Sequence, residues 1–252
     1  MKIATWNVNS LRVRLPQVLE WISRENPDVF AVQETKVPDA IFPLEEIKAS
    51  GYHVVFSGQN AYNGVALLSR EPLSDVINNF KELEDPQRRV LAATWKDIRI
   101  LNLYVPNGES VGSEKYDYKL NWLKHLLLHL KFELKKYKKI IILGDFNIAP
   151  HDIDVHDPAM WEGHVLVSEK ERAAFQEILK LGFEDCFRAL HPAEKNYSWW
   201  DYRMNSFKRN LGLRIDHILA TPSLKCSECS IDKHPRTHER PSDHTVVAAE
   251  FV

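Results

Sequence analysis

The sequence predicts an α/β fold, with two stacked sheets, helices on the outside, and one domain spanning residues 1–252. Strand-like and helix-like patterns alternate along the whole chain, which favours α/β over separate all-α or all-β units. No Gly/Ser linker or low-complexity segment divides it. The two halves also resemble each other. Each opens with a strand that delivers Asn or Asp at its end, passes through a helix and returns through more strands.

Residues 3–7 read as a buried strand and residues 15–24 as an amphipathic helix, after which Pro27 leads into a strand at 29–33 that ends on Glu34. A short helix at 44–50 precedes strands at 53–57, 64–69 and 75–80. Residues 91–95 and 98–104 form a hairpin pattern through the Lys96-Asp97 turn. A long helix covers 115–136, and the lysine-rich run 135–139 at its end is first of all a set of cations complementing a helix C-terminus. Residues 140–143 are an unbroken strand leading straight into Gly144 and Asp145. A helix at 169–181 follows, then strands at 197–202, 215–221, 227–231 and 245–251.

Composition excludes several classes. Hydrophobic residues at 44% and charged residues at 27% are ordinary for a globular chain and argue against disorder. A net charge of -2 gives no global sign of nucleic-acid binding, so any such surface must be a local basic patch balanced by acidic residues elsewhere. The first residues contain no long apolar stretch of signal-peptide type, and the longest apolar runs, such as 140–143 and 246–249, are far too short to cross a bilayer. Three cysteines fit a reducing compartment better than a disulfide framework, so a cytoplasmic protein is expected. Cys226, Cys229, His234 and His238 offer four ligands of zinc type, but the Cys-to-His gap is much shorter than the roughly 12 residues of a zinc finger. They are therefore read as part of a late strand and the loop after it.

The informative polar residues sit where predicted strands end. Asn7 and Asn9 follow the first strand, Glu34 the second, Tyr104 and Asn107 close the hairpin, and Asp145 and Asn147 follow 140–143. Asp216 lies in the 215–220 run, and Asp243 and His244 precede the last strand. Any one of them alone is best read as a turn or capping residue. Six such sites together suit an enzyme whose loops converge on one crevice at the strand ends. The set is rich in carboxylates and amides and lacks cysteine, which favours a hard cation, Mg²⁺ with Mn²⁺ as a substitute, over zinc. Clustered carboxylates repel one another without such a charge. A His244–Asp216 pair beside the metal suits phosphoryl chemistry, with Asp145 activating water. P-loops and dinucleotide fingerprints are absent.

Six motifs then occur in order: WNVNSLR at 6–12, QETK at 33–36, NLYVPNG at 102–108, GDFNIAP at 144–150, LRIDH at 213–217 and PSDH at 241–244. Together they resemble the exonuclease III family of abasic-site endonucleases, within the wider endonuclease/exonuclease/phosphatase superfamily, from Lys2 to Phe251. The resemblance implies a DNase I-like, four-layer αββα sandwich of two packed mixed sheets. It makes Glu34 the principal metal ligand, with Asn7 and Asp243 near the same ion, Asn9 at its edge, and Asp145, Asn147 and His244 completing that neighbourhood. Asp145 would align or deprotonate the attacking water, and Asn147 would donate to the developing oxyanion. His244 with Asp216 would hold and polarise the phosphate, Tyr104 would lie beside it or its leaving group, and Asn107 would support substrate placement.

Residues 197–216 hold Trp199, Trp200, Tyr202, Arg203, Phe207, Lys208 and Arg209, aromatics interleaved with cations as suits a loop inserted into a distorted duplex. The resemblance places Trp199, Leu213 and Ile215 around a flipped abasic sugar, with Trp200, on the opposite strand face, left to the core. Leu213 stands where some relatives carry Trp, and Asn9 where some carry Asp. Arg12 and Lys36 are expected phosphate contacts. The resulting expectation is a monomeric Mg²⁺-dependent DNA-repair phosphodiesterase, cutting 5′ to abasic sites and trimming 3′ ends of double-stranded DNA, with no membrane association. A same-fold phosphatase for lipid or nucleotide substrates is the alternative, and it would need a different substrate loop. A non-catalytic DNA-binding relative would lack Glu34, Asp145 or His244.

Overall fold

The computed structural model describes residues 1–81, 83 and 85–252. In chain order these form β1 (Lys2–Asn7), α1 (Leu11–Glu25), β2 (Val29–Gln33), α2 (Leu44–Ala49), β3 (His53–Ser57), β4 (Val65–Ser69), β5 (Ser74–Ile77), β6 (Val90–Trp95), β7 (Ile98–Tyr104) and α3 (Glu114–Lys136). Then come β8 (Ile140–Asp145), α4 (Pro158–Trp161), α5 (Glu169–Lys180), β9 (Glu184–Asp185), α6 (Cys186–Leu190), β10 (Asp216–Ala220), β11 (Cys226–Asp232) and β12 (Val246–Phe251). Two six-stranded sheets result, ordered β11-β12-β1-β2-β4-β3 and β5-β6-β7-β8-β10-β9. Each contains one parallel pair, β1–β2 and β7–β8, bridged by α1 and α3, among antiparallel neighbours. The sheets are therefore mixed, and the expected four-layer sandwich is what forms.

Alternation along the strands sorts the side chains into three cores. Ile3, Val29, Ala31, Leu67, Ile100, Ile141, Leu143 and Ile218 meet between the sheets. The opposite faces go outward: Ala4, Trp6, Phe30 and Val32 pack under Val18, Trp21 and Ile22 of α1, while Leu101, Leu103, Ile140 and Ile142 pack under Trp122, Leu126 and Leu130 of α3. The same period of two carries the inward face on to Asn7 in β1, Gln33 in β2, Tyr104 in β7, Asp145 in β8 and Asp216 in β10. A buried polar layer marks the change. Gln33 Nε2 donates to Thr5 Oγ1 at 2.8 Å and to Asn102 Oδ1 at 2.7 Å, and Asn102 Nδ2 donates to the carbonyls of Val32 and Ala66.

Several expectations need correction. Residues 197–202 are not a strand. Trp199 makes only isolated bridges to Leu213 and His244, and Ser198 Oγ accepts from the amides of Ile215 and Asp216, where a regular ladder would use backbone carbonyls. The first helix begins at Leu11 and runs through Pro16, one turn earlier than a proline near a helix start suggests. The strand expected to reach residue 80 ends at Ile77, with Asp75 at φ +50° breaking its register. α4, α6 and β9 are too short for periodicity to reveal. The cysteines and histidines, by contrast, lie as expected: Cys226 and Cys229 are in β11, with Cys229 buried between the sheets, and His234 and His238 follow it and face Glu20 of α1. Among the described residues, no helix is long and apolar enough to cross a membrane.

A buried ionic knot fixes the segment that enters β10. Arg214 donates from Nε to Asp154 Oδ1 at 2.7 Å and from both terminal nitrogens to the carboxylate of Asp185 at 3.0 and 2.8 Å. Arg188 adds a 2.6 Å contact to Asp154. His217, which burial keeps neutral down to about 4, accepts from Arg214 at Nδ1 and donates from Nε2 to the Ile148 carbonyl. Although burial opposes charge on Asp154, Arg214 and Arg188 lower its carboxyl to about 2. A depressed folded-state value means that this stabilisation is fully present above the ordinary carboxylate range and is lost as pH falls towards 2. Asp154→Ala, which leaves Arg214 short of a partner, should cost about 3–5 kcal/mol in urea unfolding at pH 7. The gap to wild type should shrink between about pH 4 and pH 2, and a pH-independent gap would contradict the assignment.

Candidate active site

At the polar ends of the facing sheets, register brings Asp145 of β8 opposite Tyr104 of β7 on one side and Asp216 of β10 on the other. From the other sheet, Asn7 of β1 donates through Nδ2 to both Glu34 Oε1 at 2.8 Å and Asp145 Oδ2 at 2.9 Å. One amide thus joins a carboxylate of each sheet. His244, in the loop before β12, donates from Nδ1 to Asp216 Oδ2 at 2.9 Å and points Nε2 at Asp145 Oδ2, 3.7 Å away. Asn147 turns back on the same carboxylate, with its backbone amide 2.8 Å from Asp145 Oδ1 and its Nδ2 3.2 Å from Oδ2.

The loops are locally strained into place. Asn9, Glu34 and Asn147 adopt left-handed backbone angles of +44°, +51° and +49°. Such conformations cost Asn little and Glu more, and they persist where surrounding contacts fix them. The Glu34 carbonyl accepts from the Ser10 amide at 2.8 Å, and Thr35 and Lys36 donate to the carbonyls of Gly64 and Asn63. Asn9 Nδ2 donates to Asp243 Oδ1 at 2.9 Å, and Trp199 Nε1 donates to Asp243 Oδ2 at 3.0 Å.

Burial dominates the electrostatics. It pushes the Asp145 carboxyl up to about 7, with Asp216 and Glu34 adding to the rise against the opposing His244 charge and Asn7 hydrogen bond. Burial opposes charge on His244, yet Asp216 and Asp145 outweigh it and raise the imidazole to about 10. Burial and the charge of Glu34 hold the Tyr104 phenol well above its ordinary value, so it stays protonated, with the Arg89 guanidinium 4.4 Å from its ring centre. Donor atoms of Glu34, Asp145 and His244 lie within 4.8 Å of one another. Lys36 Nζ sits 2.9 Å from Glu34 Oε2 and also contacts Asn9 Oδ1, placing positive charge at this corner. An oxygen-rich, thiol-free set with crowded carboxylates fits a hard divalent cation.

The expected residues divide into four groups. Asn7, Asn9, Glu34, Tyr104, Asp145, Asn147, Asp216, Asp243 and His244 converge as described. Asn107 is exposed at the rim and donates to Asn147 Oδ1 at 3.1 Å. Arg12 and Lys208 are exposed, Arg203 is held by Asp201 at 2.6 Å, and Lys36 lies against Glu34 rather than standing free. Trp199 is half-buried beside the site, edge-on to Trp161 at 6.5 Å, whereas Leu213 and Ile215 are 0% and 1% exposed and form the floor beneath it. Trp200 is fully buried, as expected, although no regular strand puts it there.

Supporting residues escaped the sequence reading. Ser242 Oγ donates to the Asn7 carbonyl at 2.7 Å and accepts from the His244 amide, and Arg14 holds the Asn9 and Pro241 carbonyls. Ser242 lay within PSDH, but nothing distinguishes a bridging serine from a turn serine in sequence. Arg14 reads there as a surface helix cation.

The model of the endonuclease/exonuclease/phosphatase family matches residues 4–244. Exodeoxyribonuclease III of Haemophilus influenzae is 38% identical, over the full length of both chains. Among solved structures, a 3′ phosphatase from Neisseria bound to a product DNA hairpin superposes with a TM-score of 0.99 at 45% identity, covering 100% of this chain and 99% of that one. An AP endonuclease from Archaeoglobus fulgidus superposes at 0.96 and 43% identity, with the same coverage. The chain belongs to the endonuclease/exonuclease/phosphatase family. Within that family it is a hydrolase of the exodeoxyribonuclease III and AP endonuclease group, a DNA-repair nuclease, and the group is metal-dependent.

The His244–Asp216 contact predicts a titration. Asp216→Asn removes a charge that raises His244, so the imidazole should titrate at lower pH than in wild type, followed by NMR of its ring carbons in metal-free protein. An unchanged midpoint would show that Asp216 does not set its charge.

Proposed function

We propose that this chain is a Mg²⁺-dependent phosphodiesterase that incises double-stranded DNA 5′ to abasic sites and removes nucleotides or blocking groups from 3′ ends. The observation that carries the reading is the placement of Asp145, a buried carboxylate between the Glu34–Asn7 corner and the His244–Asp216 pair. Glu34, with Asn7, Asn9 and Asp243 around it, would hold the ion. When bound, Mg²⁺ would neutralise charge developing on the phosphate oxygens.

Each remaining role belongs to a side chain. The raised carboxyl of Asp145 suits it to orient a water and take its proton near neutral pH. Water oxygen attacks phosphorus as the bond to the 3′-oxygen breaks, and the departing 3′-oxygen takes a proton from solvent water, leaving a 3′-hydroxyl and a 5′-phosphate. His244, held cationic and oriented by Asp216, donates to a non-bridging oxygen, and the Asn147 amide supplies a second donor. Tyr104, kept as the neutral phenol, donates at the same phosphate.

With a net charge of -2 overall, DNA contact would fall to local cations: Arg12, Lys36, Arg89, Arg203 and Lys208. Trp199 over Leu213 and Ile215 gives an apolar face for a sugar without its base, whose extrusion is less costly than that of a paired nucleotide. The names of the relatives, a 3′ phosphatase, an exodeoxyribonuclease and an AP endonuclease, support both the internal and the 3′-end activity.

Duplexes carrying an abasic site, a 3′-phosphate nick or a recessed end, incubated with Mg²⁺ or EDTA, test the reading. Incision 5′ to the abasic site in Mg²⁺ alone is expected. Intact DNA in every lane, with release of phosphate from a phosphoinositide, would replace this reading with a lipid phosphatase. Asp145→Asn should bind duplex as wild type does while losing at least ~10²-fold in turnover, read by gel shift and single-turnover cleavage. Wild-type rates would remove Asp145 from the mechanism.

A further inference from the structure

We propose that Lys119, a wholly buried residue of α3, is a positioning residue that sets the two site asparagines through their backbone carbonyls. Its ammonium donates to the Asn107 carbonyl at 3.0 Å, to the Asn147 carbonyl at 2.6 Å and to the Glu171 carboxylate, so all three of its protons are placed. Glu171 is itself fixed. It closes the capping box of α5, accepting from the amides of Leu166 and Ser168 at 3.0 and 3.1 Å and from Ser168 Oγ at 2.5 Å. Tyr116 of α3 shares a 2.6 Å hydrogen bond with that hydroxyl. One buried cluster therefore ties the loop after β7, the loop after β8 and the start of α5 to a single ammonium.

A buried ion pair is a poor device for stability alone, because desolvation offsets much of the attraction and apolar residues of similar volume often serve as well. What an apolar pair cannot do is hold two carbonyls. The Asn147 peptide needs holding because its amide and side chain both reach Asp145. Asn107 then bonds the Asn147 side chain from the other loop. Lys119 lies behind this arrangement and touches neither the phosphate side nor the carboxylates of the site, so its effect passes through the position of the Asn147 donor.

The rate measurement in the following test rests on the phosphodiesterase reading, whereas the spectra of the free protein do not. Lys119→Met should lower both melting temperature and kcat. Lys119→Met combined with Glu171→Met, which removes both buried charges, should recover most of the melting temperature. It should leave kcat about 10–100-fold down with KM for duplex DNA within about threefold, as a displaced catalytic group does. Lys119→Arg, which keeps charge and donors, should regain part of the rate. In amide NMR spectra of the substrate-free protein, the backbone and side-chain signals of Asn147 should shift in the double variant. Recovery of both melting temperature and kcat in the double variant would reduce the pair to a structural contact and overturn the proposal. Unmoved Asn147 signals would overturn it whatever the enzyme does to DNA. A wild-type protein inert on every duplex would instead defeat the phosphodiesterase reading, with the spectra still deciding the role of Lys119.

Discussion

Asp145 is a carboxylate with 1% of its surface exposed, and the rest of the site is arranged around that fact. It reaches this position because β8 alternates: Ile141 and Leu143 fill the space between the sheets, and the next inward residue is Asp145. The same arithmetic delivers Asn7, Tyr104 and Asp216 to the same end of the sandwich. Facing sheets that are apolar along most of their length thus end in a shared polar layer, with Gln33, Thr5 and Asn102 forming the boundary. A shift of one residue in any of these strands would turn its polar end into a helix-packed face.

Burying so many titratable groups together has electrostatic consequences that organise the chemistry. Asp145 and His244 are both displaced upward, one by loss of solvent and the other by its two carboxylate neighbours. Asn7 separates Glu34 from Asp145 while bonding both, and Lys36 brings positive charge to the outer oxygen of Glu34. A divalent ion at this corner would complete the balance that an ammonium supplies in part. Rigidity around it comes from supporting contacts: Ser198, Ser242, Arg14, the Arg214 knot and the Lys119 cluster all hold backbone around the loops that carry the site side chains.

Much of this was legible because periodicity and strand-end position are properties of local sequence. The β1, β2, β7 and β8 patterns were strong enough to fix which residue ends each strand, and six short motifs in order supplied the architecture. Less was legible where tertiary contacts override local preference. Residues 197–202 have strand-like composition, yet Ser198 takes the amides of Ile215 and Asp216 and prevents a regular ladder. Lys36 has the look of a surface phosphate contact, and only the fold brings Glu34 and Asn9 to its ammonium. Lys119 follows the same rule: in sequence it is one lysine among several on a long helix, and its burial depends on α5 packing across α3. Leu213 and Ile215 pack beneath Trp199, with almost no exposed surface of their own.

We propose that the two sheets meet in a corner where Glu34 would hold a hard cation, beside the Asp145–His244 pair. Crystals soaked in Mn²⁺ and measured at the manganese edge test it most directly. The account predicts an anomalous peak within coordination distance of the Glu34 carboxylate, with the Lys36 ammonium moved away from it. No peak at Glu34 in crystals that bind manganese elsewhere, with Lys36 still seated on the carboxylate, would contradict it.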